Sequence, residues 1–357
     1  MTEPTDDLLV FADDRLLEHA PPCDHPESPA RLREILARLR EPANPKASRA
    51  LRWRTLEPAP REALLRVHDA AILGRLDALR GQDTDTWLSA DTATSAGSVP
   101  AIELAAGAGL LAIDALYRGE AKRALCLTRP PGHHAKADRM MGACFLNNVA
   151  VAAAHARARH GAARVMIVDW GVHHGNGTEA IFFADPDVLV VDSHQSPLYP
   201  DTGEMNSLGR DGAFGKTVNL PLPAGTGDGD LVGIYRAILP TLVASFEPDL
   251  ILVSAGFDGH ADDPVGGFEL SEGGYANLTA LLRDLADRHC DGRLVLLLEG
   301  GYNPTATARS VSACVDVLLG ADAPPAPAMS PRSAALLSVF RSHHGLYWPH
   351  LRGSAGV

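Results

Sequence analysis

Cysteine pairs, basic clusters and a basic leader are what this chain lacks. Its five cysteines, Cys23, Cys126, Cys144, Cys290 and Cys314, are odd in number and show no C-x-x-C spacing. Neither a disulfide frame nor a thiolate zinc site is suggested, and reduced, structural thiols are expected. No Lys/Arg cluster exceeds the one around Arg38 to Arg40, and the net charge is -12. That balance argues against a DNA groove or an anionic membrane as direct partner, and it suits a cationic peptide or amine. The opening Met1-Thr2-Glu3-Pro4-Thr5-Asp6-Asp7 has no basic n-region, and no apolar run approaches a membrane span. A cytoplasmic location is the expectation. No internal repeat is present.

What is there is an alternation of short apolar runs with helical patterns. With 357 residues and 46% hydrophobic composition, a sizeable single α/β core is expected. Residues 1–320 read as the catalytic domain, 321–331 as an Ala/Pro linker, and 332–357 as a short helix and tail packed on the same domain. Strands are expected at 8–11, 121–128, 164–169, 188–192, 249–254 and 293–298. Helices are expected from Ser28-Pro29 to about Arg40, then over 61–80, 101–118, 145–160, 229–245, 271–289 and 305–319. Ser28 and Pro29 form an N-cap and N1 pair, and Gly119 and Gly161 stop helices as C′ glycines do. Thr92 to Pro100 reads as a loop, and Ser193 to Thr226 as a long Gly-rich one of the kind that is functional. Each polar cluster follows a strand, so the pattern is a doubly wound, mostly parallel sheet with its site at the strands' carboxyl edge.

The central stretch is Arg164-Val165-Met166-Ile167-Val168-Asp169-Trp170-Gly171-Val172-His173-His174-Gly175-Asn176-Gly177-Thr178. A buried strand ends at Asp169, and if the chain stays extended beyond it, Asp169, Gly171 and His173 share one face. Around it stand Arg129-Pro130-Pro131-Gly132-His133-His134-Ala135, Met141-Gly142-Ala143-Cys144-Phe145-Leu146-Asn147-Asn148, Ser254-Ala255-Gly256-Phe257-Asp258 and Glu299-Gly300-Gly301-Tyr302. In order and spacing these motifs resemble the histone deacetylase family, nearest its class II and bacterial amidohydrolase branch, from about His25 to about Leu318. An arginase-like dimanganese centre needs several more carboxylates after the central strand than Asp169 alone.

The resemblance implies an arginase/deacetylase-like fold and zinc-dependent hydrolysis of an amide-linked acyl group. The substrate would be an acylated lysine peptide or a small acylated amine. It implies His133 and His134 as the acid/base pair, oriented by Asp169 and Asn176, and Tyr302 as hydroxyl donor to the oxyanion. Zinc is implied on His173 and Asp258, with Gly171 at the third ligand position. Structural K+ is implied on Asp169 and Asp192, with carbonyls of residues 171, 173 and 193. The implied acyl tunnel is lined by Ala143, Tyr199, Val265 and Gly301. Ala143 stands where an aromatic is usual, so the tunnel is expected to be wider. Val265 stands where polyamine-specific relatives carry a Glu, which leans away from acetylpolyamines. The alternative reading is a metal-impaired relative, natural or engineered at 171, that binds an acylated ligand or partner without efficient turnover. No nucleic acid or membrane is expected as partner, and self-association is left open.

Overall fold

The computed structural model describes residues 7–22, 25–41, 50–82 and 85–352. Cys23, the first six residues and the tail beyond Arg352 lie outside the described residues. Eight strands make one sheet: β1 (Leu8–Phe11), β2 (Leu51–Arg54), β5 (Arg123–Cys126), β6 (Val165–Asp169), β7 (Val188–Gln195), β8 (Thr217–Leu222), β9 (Leu250–Ala255) and β10 (Leu294–Leu298). Between β2 and β5 in the chain, β3 (Thr86–Ser89) and β4 (Thr92–Thr94) form a separate antiparallel ribbon. The large sheet runs β2-β1-β5-β10-β9-β6-β7-β8, and each of its pairings is parallel.

Helices cover both faces of such a sheet, so its central strands are buried along their whole length and read as continuous apolar runs. β6, β9 and β10, with sequences VMIVD, LILVSA and LVLLL, are buried at every residue. Register then positions the site. Asp169 pairs with Asp192 on β7 and with Ser254 on β9, so the polar residues that follow each strand emerge flush at one edge. On one face the helices Ser98–Tyr117 and Asn148–His160 meet closely: a Cβ at Gly109 would stand 2.7 Å from the Ala152 Cβ. Gly119 and Gly161 end these helices with φ of 76° and 69°, the left-handed conformation that glycine adopts without steric cost.

Several expectations are corrected. The Thr92 to Pro100 loop contains β4, and its helix begins at Ser98. Pairing with β3, not local patterning, makes three residues a strand. The 61–80 helix is two, Arg61–Leu64 and Ala70–Leu79, because the intervening His68 is drawn to another loop: its ring contacts the Lys136 carbonyl at 3.1 Å and accepts from the Asn147 N–H at 2.9 Å. Within Ser193 to Thr226, β7 continues to Gln195 and β8 occupies Thr217–Leu222. β2 was unread. The helix after Phe145 starts at Asn148, capped by the Asn147 side chain. Ser28 holds the N-cap position of Pro29–Arg40 without a side-chain bond. Against the reading that no run approaches a membrane span, two helices among the described residues, Ser98–Tyr117 and Asp228–Phe246, are long and apolar enough for one by length and composition, and most of Ser98–Tyr117 is buried in the core. Helix Pro331–His344 buries Leu337 and Phe340 in the main core cluster.

A sealed ion cluster ties the N-terminal segment to the sheet edge. Glu27 accepts from Arg31 Nη1 at 2.9 Å, from Arg129 Nε at 2.8 Å and from Arg129 Nη2 at 3.0 Å, and all three side chains are buried. Removing one member of such a cluster leaves buried charge uncompensated, at a cost of about 3–5 kcal/mol. Glu27→Gln is therefore expected to lower stability by that amount. Urea unfolding checks it, and a loss under about 1 kcal/mol would show that the arginines find water or other partners.

Candidate active site

The Arg129 to His134 turn follows β5 and the Asp169 to Asn176 turn follows β6, and the two meet at the carboxyl edge. His133 Nδ1 lies 2.8 Å from Asp169 Oδ2, and His134 Nδ1 lies 2.8 Å from Asn176 Oδ1. The two imidazoles stand 4.0 Å apart between ring centroids, yet their partners set them in opposite states. An amide oxygen only accepts, so His134 Nδ1 carries the proton and its Nε2 keeps a lone pair. Burial, the neighbouring His133 and the neighbouring His173 all push the His134 pKa well down. Burial lowers His133 too, but the charge and hydrogen bond of Asp169 outweigh it and raise the imidazole to about 10. Asp169 itself is pushed up to about 6 by burial, against the pull of His133, with Asp192 adding to the rise. At neutral pH the edge thus holds one charged and one neutral imidazole, the separation expected of an acid/base pair.

Glu299 braces this turn from β10: its Oε2 accepts the backbone N–H of Gly132 at 2.6 Å and of His133 at 3.2 Å. Burial raises its carboxyl to about 7. Arg31 donates to the carbonyls of Glu299 and Gly301 and lies over the Tyr302 ring, 5.1 Å from its centroid. The Gly300-Gly301 turn needs glycine twice over. A Cβ at Gly300 would fall 2.1 Å from Asp258 Oδ2, and Gly301 has φ 122°. Burial holds the Tyr302 hydroxyl well above its usual range, so it remains a donor.

His173 Nδ1 and Asp258 Oδ2 converge at 3.0 Å, while Asp258 Oδ1 accepts from Val172 N at 2.8 Å. Burial raises Asp258, but the hydrogen bond and charge of His173 outweigh it and bring the carboxyl below its ordinary value. Gly171 points at the same place: a Cβ there would meet Asp258 Oδ1 at 3.3 Å and Asp169 Oδ1 at 3.4 Å. The extended reading of this segment is corrected, because the chain bends after Asp169 and its carboxylate folds back to accept from Gly171 N at 3.1 Å. A hydrolytic zinc site asks for three protein donors and an open position. His173 and Asp258 supply two, and among the described residues the three-donor His/Asp/Glu groups lie elsewhere. The residues present therefore fall one carboxylate short of that centre. Asp192 stands beside Asp169, its Oδ2 accepting from Gly175 N at 2.8 Å and its Oδ1 facing His194 Nδ1 at 2.8 Å.

A cavity of about 460 Å³ opens above the pair and is lined by His134, His173, Ala143, Tyr199, Val265 and Tyr302. Tyr199 meets His134 edge-on at 5.2 Å. Ala143 has φ 60° and no ring to oppose it, and Val265 lies at the rim, 37% exposed. Gly301 is buried behind Tyr302 and outside the lining residues. Sequence reasoning missed the opposite wall: Trp87, Ala90 and Asp91 from the ribbon, with Pro22, His25 and Pro26. Trp87 is 52% exposed, and no pattern marks it beforehand.

The family description "Histone deacetylase domain" matches residues 25–318. The chain belongs to the histone deacetylase family. The histone deacetylase-like amidohydrolase of Pseudomonas aeruginosa is 43% identical over 255 residues, 71% of this chain and 67% of that protein. The human polyamine deacetylase HDAC10 is 38% identical over 372 residues, which cover 96% of this chain and 53% of that one. The crystal structure of the HDA15 HD domain superposes with a TM-score of 0.90 at 34% identity, covering 98% of this chain and 97% of that chain. The expected fold class is thus found, and the chain has the framework of a histone deacetylase-like amidohydrolase. In that framework Asp169 does most to keep the buried His133 charged, with Glu299 and Asp258 adding to the rise. Asp169→Asn is expected to leave His133 neutral at pH 7, read from the imidazole ¹⁵N shifts; an unchanged charged ring would assign the effect to Glu299.

Proposed function

We propose that this site binds an N-acylated amine, acyl-lysine or a small relative, and cleaves its amide slowly because the metal ligand set is short at Gly171. The observation that carries the reading is the imidazole pair beside Tyr302, 4.0 Å between ring centroids and each with its own orienting partner, a carboxylate for His133 and an amide oxygen for His134. His134, with a free Nε2, accepts a proton from the attacking water. His133, held charged by Asp169, returns one to the departing amine. Tyr302 donates to the carbonyl oxygen as negative charge grows there. The apolar stem of the amine lies along Tyr199, and the acyl group occupies the space that Ala143 leaves open.

Zinc, by family resemblance, would rest on His173 and Asp258 alone, with weak affinity. The direction of the Gly171 Cβ position, 3.3 Å from Asp258 Oδ1, supports a missing carboxylate at this place. The paired Asp169 and Asp192 support a potassium ion beside β6 and β7, where the carbonyls of residues 171, 173 and 193 would join them. A second reading, a binder of acylated ligands with little turnover, is favoured by the same two-donor set. The strongly negative net charge of -12 suits a cationic amine in either case.

Gly171→Asp is expected to bind zinc more tightly and to hydrolyse an acetyl-lysine reporter at least about tenfold faster, a barrier change of about 1.4 kcal/mol. Zinc titration beside steady-state assays checks it. Tight stoichiometric zinc in the parent, with no gain from Asp, would mean that another donor completes the centre. Ala143→Phe is expected to restore the missing wall and raise the kcat/KM ratio of acetyl over longer acyl groups. An unmoved ratio would place the acyl group elsewhere in the cavity.

A further inference from the structure

Away from the carboxyl edge, three metal-binding side chains meet between two helices. Asp114 lies in the last turn of Ser98–Tyr117, and His155 and His160 lie on Asn148–His160. His155 Nε2 stands 2.7 Å from Asp114 Oδ1 and His160 Nε2 stands 2.6 Å from the same oxygen. All three donor atoms lie within 4.8 Å of one another. Both helices lead into parallel strands of the sheet, so they run against strand direction and end at its amino edge, opposite the imidazole pair.

We propose that Asp114, His155 and His160 form a second metal site, for a zinc-like divalent transition-metal ion. Two imidazoles and one carboxylate are a donor set that suits such ions over calcium or magnesium. Ligands at ~2.0–2.2 Å from one tetrahedral ion stand ~3.4 Å apart, so the Asp114 carboxylate must retreat by under about 1 Å. With a third of its side chain exposed, 33%, it is free to do so. The Tyr117 ring stacks on His160 at 4.6 Å and 19°, which fixes the imidazole plane. The two helix C-termini nearby favour positive charge. A neighbouring cavity of about 260 Å³, lined by Asp114, His155, Arg66 and Glu62 among others, leaves room for water or an anion at the open coordination position. The alternative is a carboxylate that accepts two imidazole N–H bonds and needs no ion.

The test uses the full chain stripped with a chelator and titrated with cobalt(II), then with zinc in competition. The parent is expected to show a ligand-field band at equimolar cobalt and a metal-dependent rise in Tm. Asp114→Asn and His160→Gln are expected to weaken binding at least about tenfold, while His173→Ala keeps it. The metal-free Tm of each variant, matched to the parent, separates lost ligation from lost folding. Should either surface variant fold poorly, the other and His155→Gln carry the comparison. No band at equimolar cobalt would overturn the site, as would binding that survives His160→Gln and disappears in His173→Ala.

Discussion

The Glu27 carboxylate, closed off from water between Arg31 and Arg129, is the interaction on which the functional edge depends. Arg129 opens the turn that carries His133 and His134, and its guanidinium also reaches the carbonyls of Leu16 and His19. Arg31 grips the carbonyls of Glu299 and Gly301 and covers Tyr302. One buried anion therefore couples the imidazole turn to the tyrosine turn, which come from strands β5 and β10 that are neighbours in the sheet. Desolvating three charges is expensive, and the hydrogen bonds that offset it also fix geometry. Such a cluster specifies positions more than it adds stability.

The same lack of water explains how two adjacent histidines differ. Burial lowers both, and the outcome turns on the partner of each Nδ1: a carboxylate for His133, an amide oxygen for His134. In the proposed reading this difference of one atom type divides the proton work between them. Glu299 places a second carboxyl under the turn, binding backbone N–H groups and leaving the rings free.

Gly171 sits at the opposite extreme of constraint. Glycines at 175, 177, 256 and 300 are required by close backbone or carboxylate approach, since an added Cβ would meet an atom at 3.0 Å or less. At Gly171 the nearest atom is 3.3 Å away and is the carboxylate of Asp258. That contact is tight but not prohibitive, since the Asp258 carboxylate need give only a few tenths of an ångström, and φ is not in the left-handed region. A side chain there would point at a carboxylate suited to sharing a cation with it, which is why the ligand set, not the fold, bears the consequence.

Local pattern made much of this protein legible. Runs such as Val165 to Asp169 and Leu294 to Leu298 announce buried parallel strands, because such strands cannot afford polar interruption. The Gly119 and Gly161 stops, the Asn-rich and His-rich turns and the order of the motifs belong to the chain itself, and they suffice for the family and the fold class. Other features arise from contacts between residues far apart in the chain. β4 is a strand because Thr86–Ser89 lies beside it, and the 61–80 helix breaks because His68 bonds to Lys136 and Asn147. Trp87 and Asp91 join the tunnel wall only once the ribbon is placed over the edge, and Asp114 meets His155 and His160 only when two helices pack. Periodicity reports which face of an element is buried. Which partner covers that face, and whether two imidazoles share a carboxylate or a cavity, is set by distances that no spacing along the chain encodes.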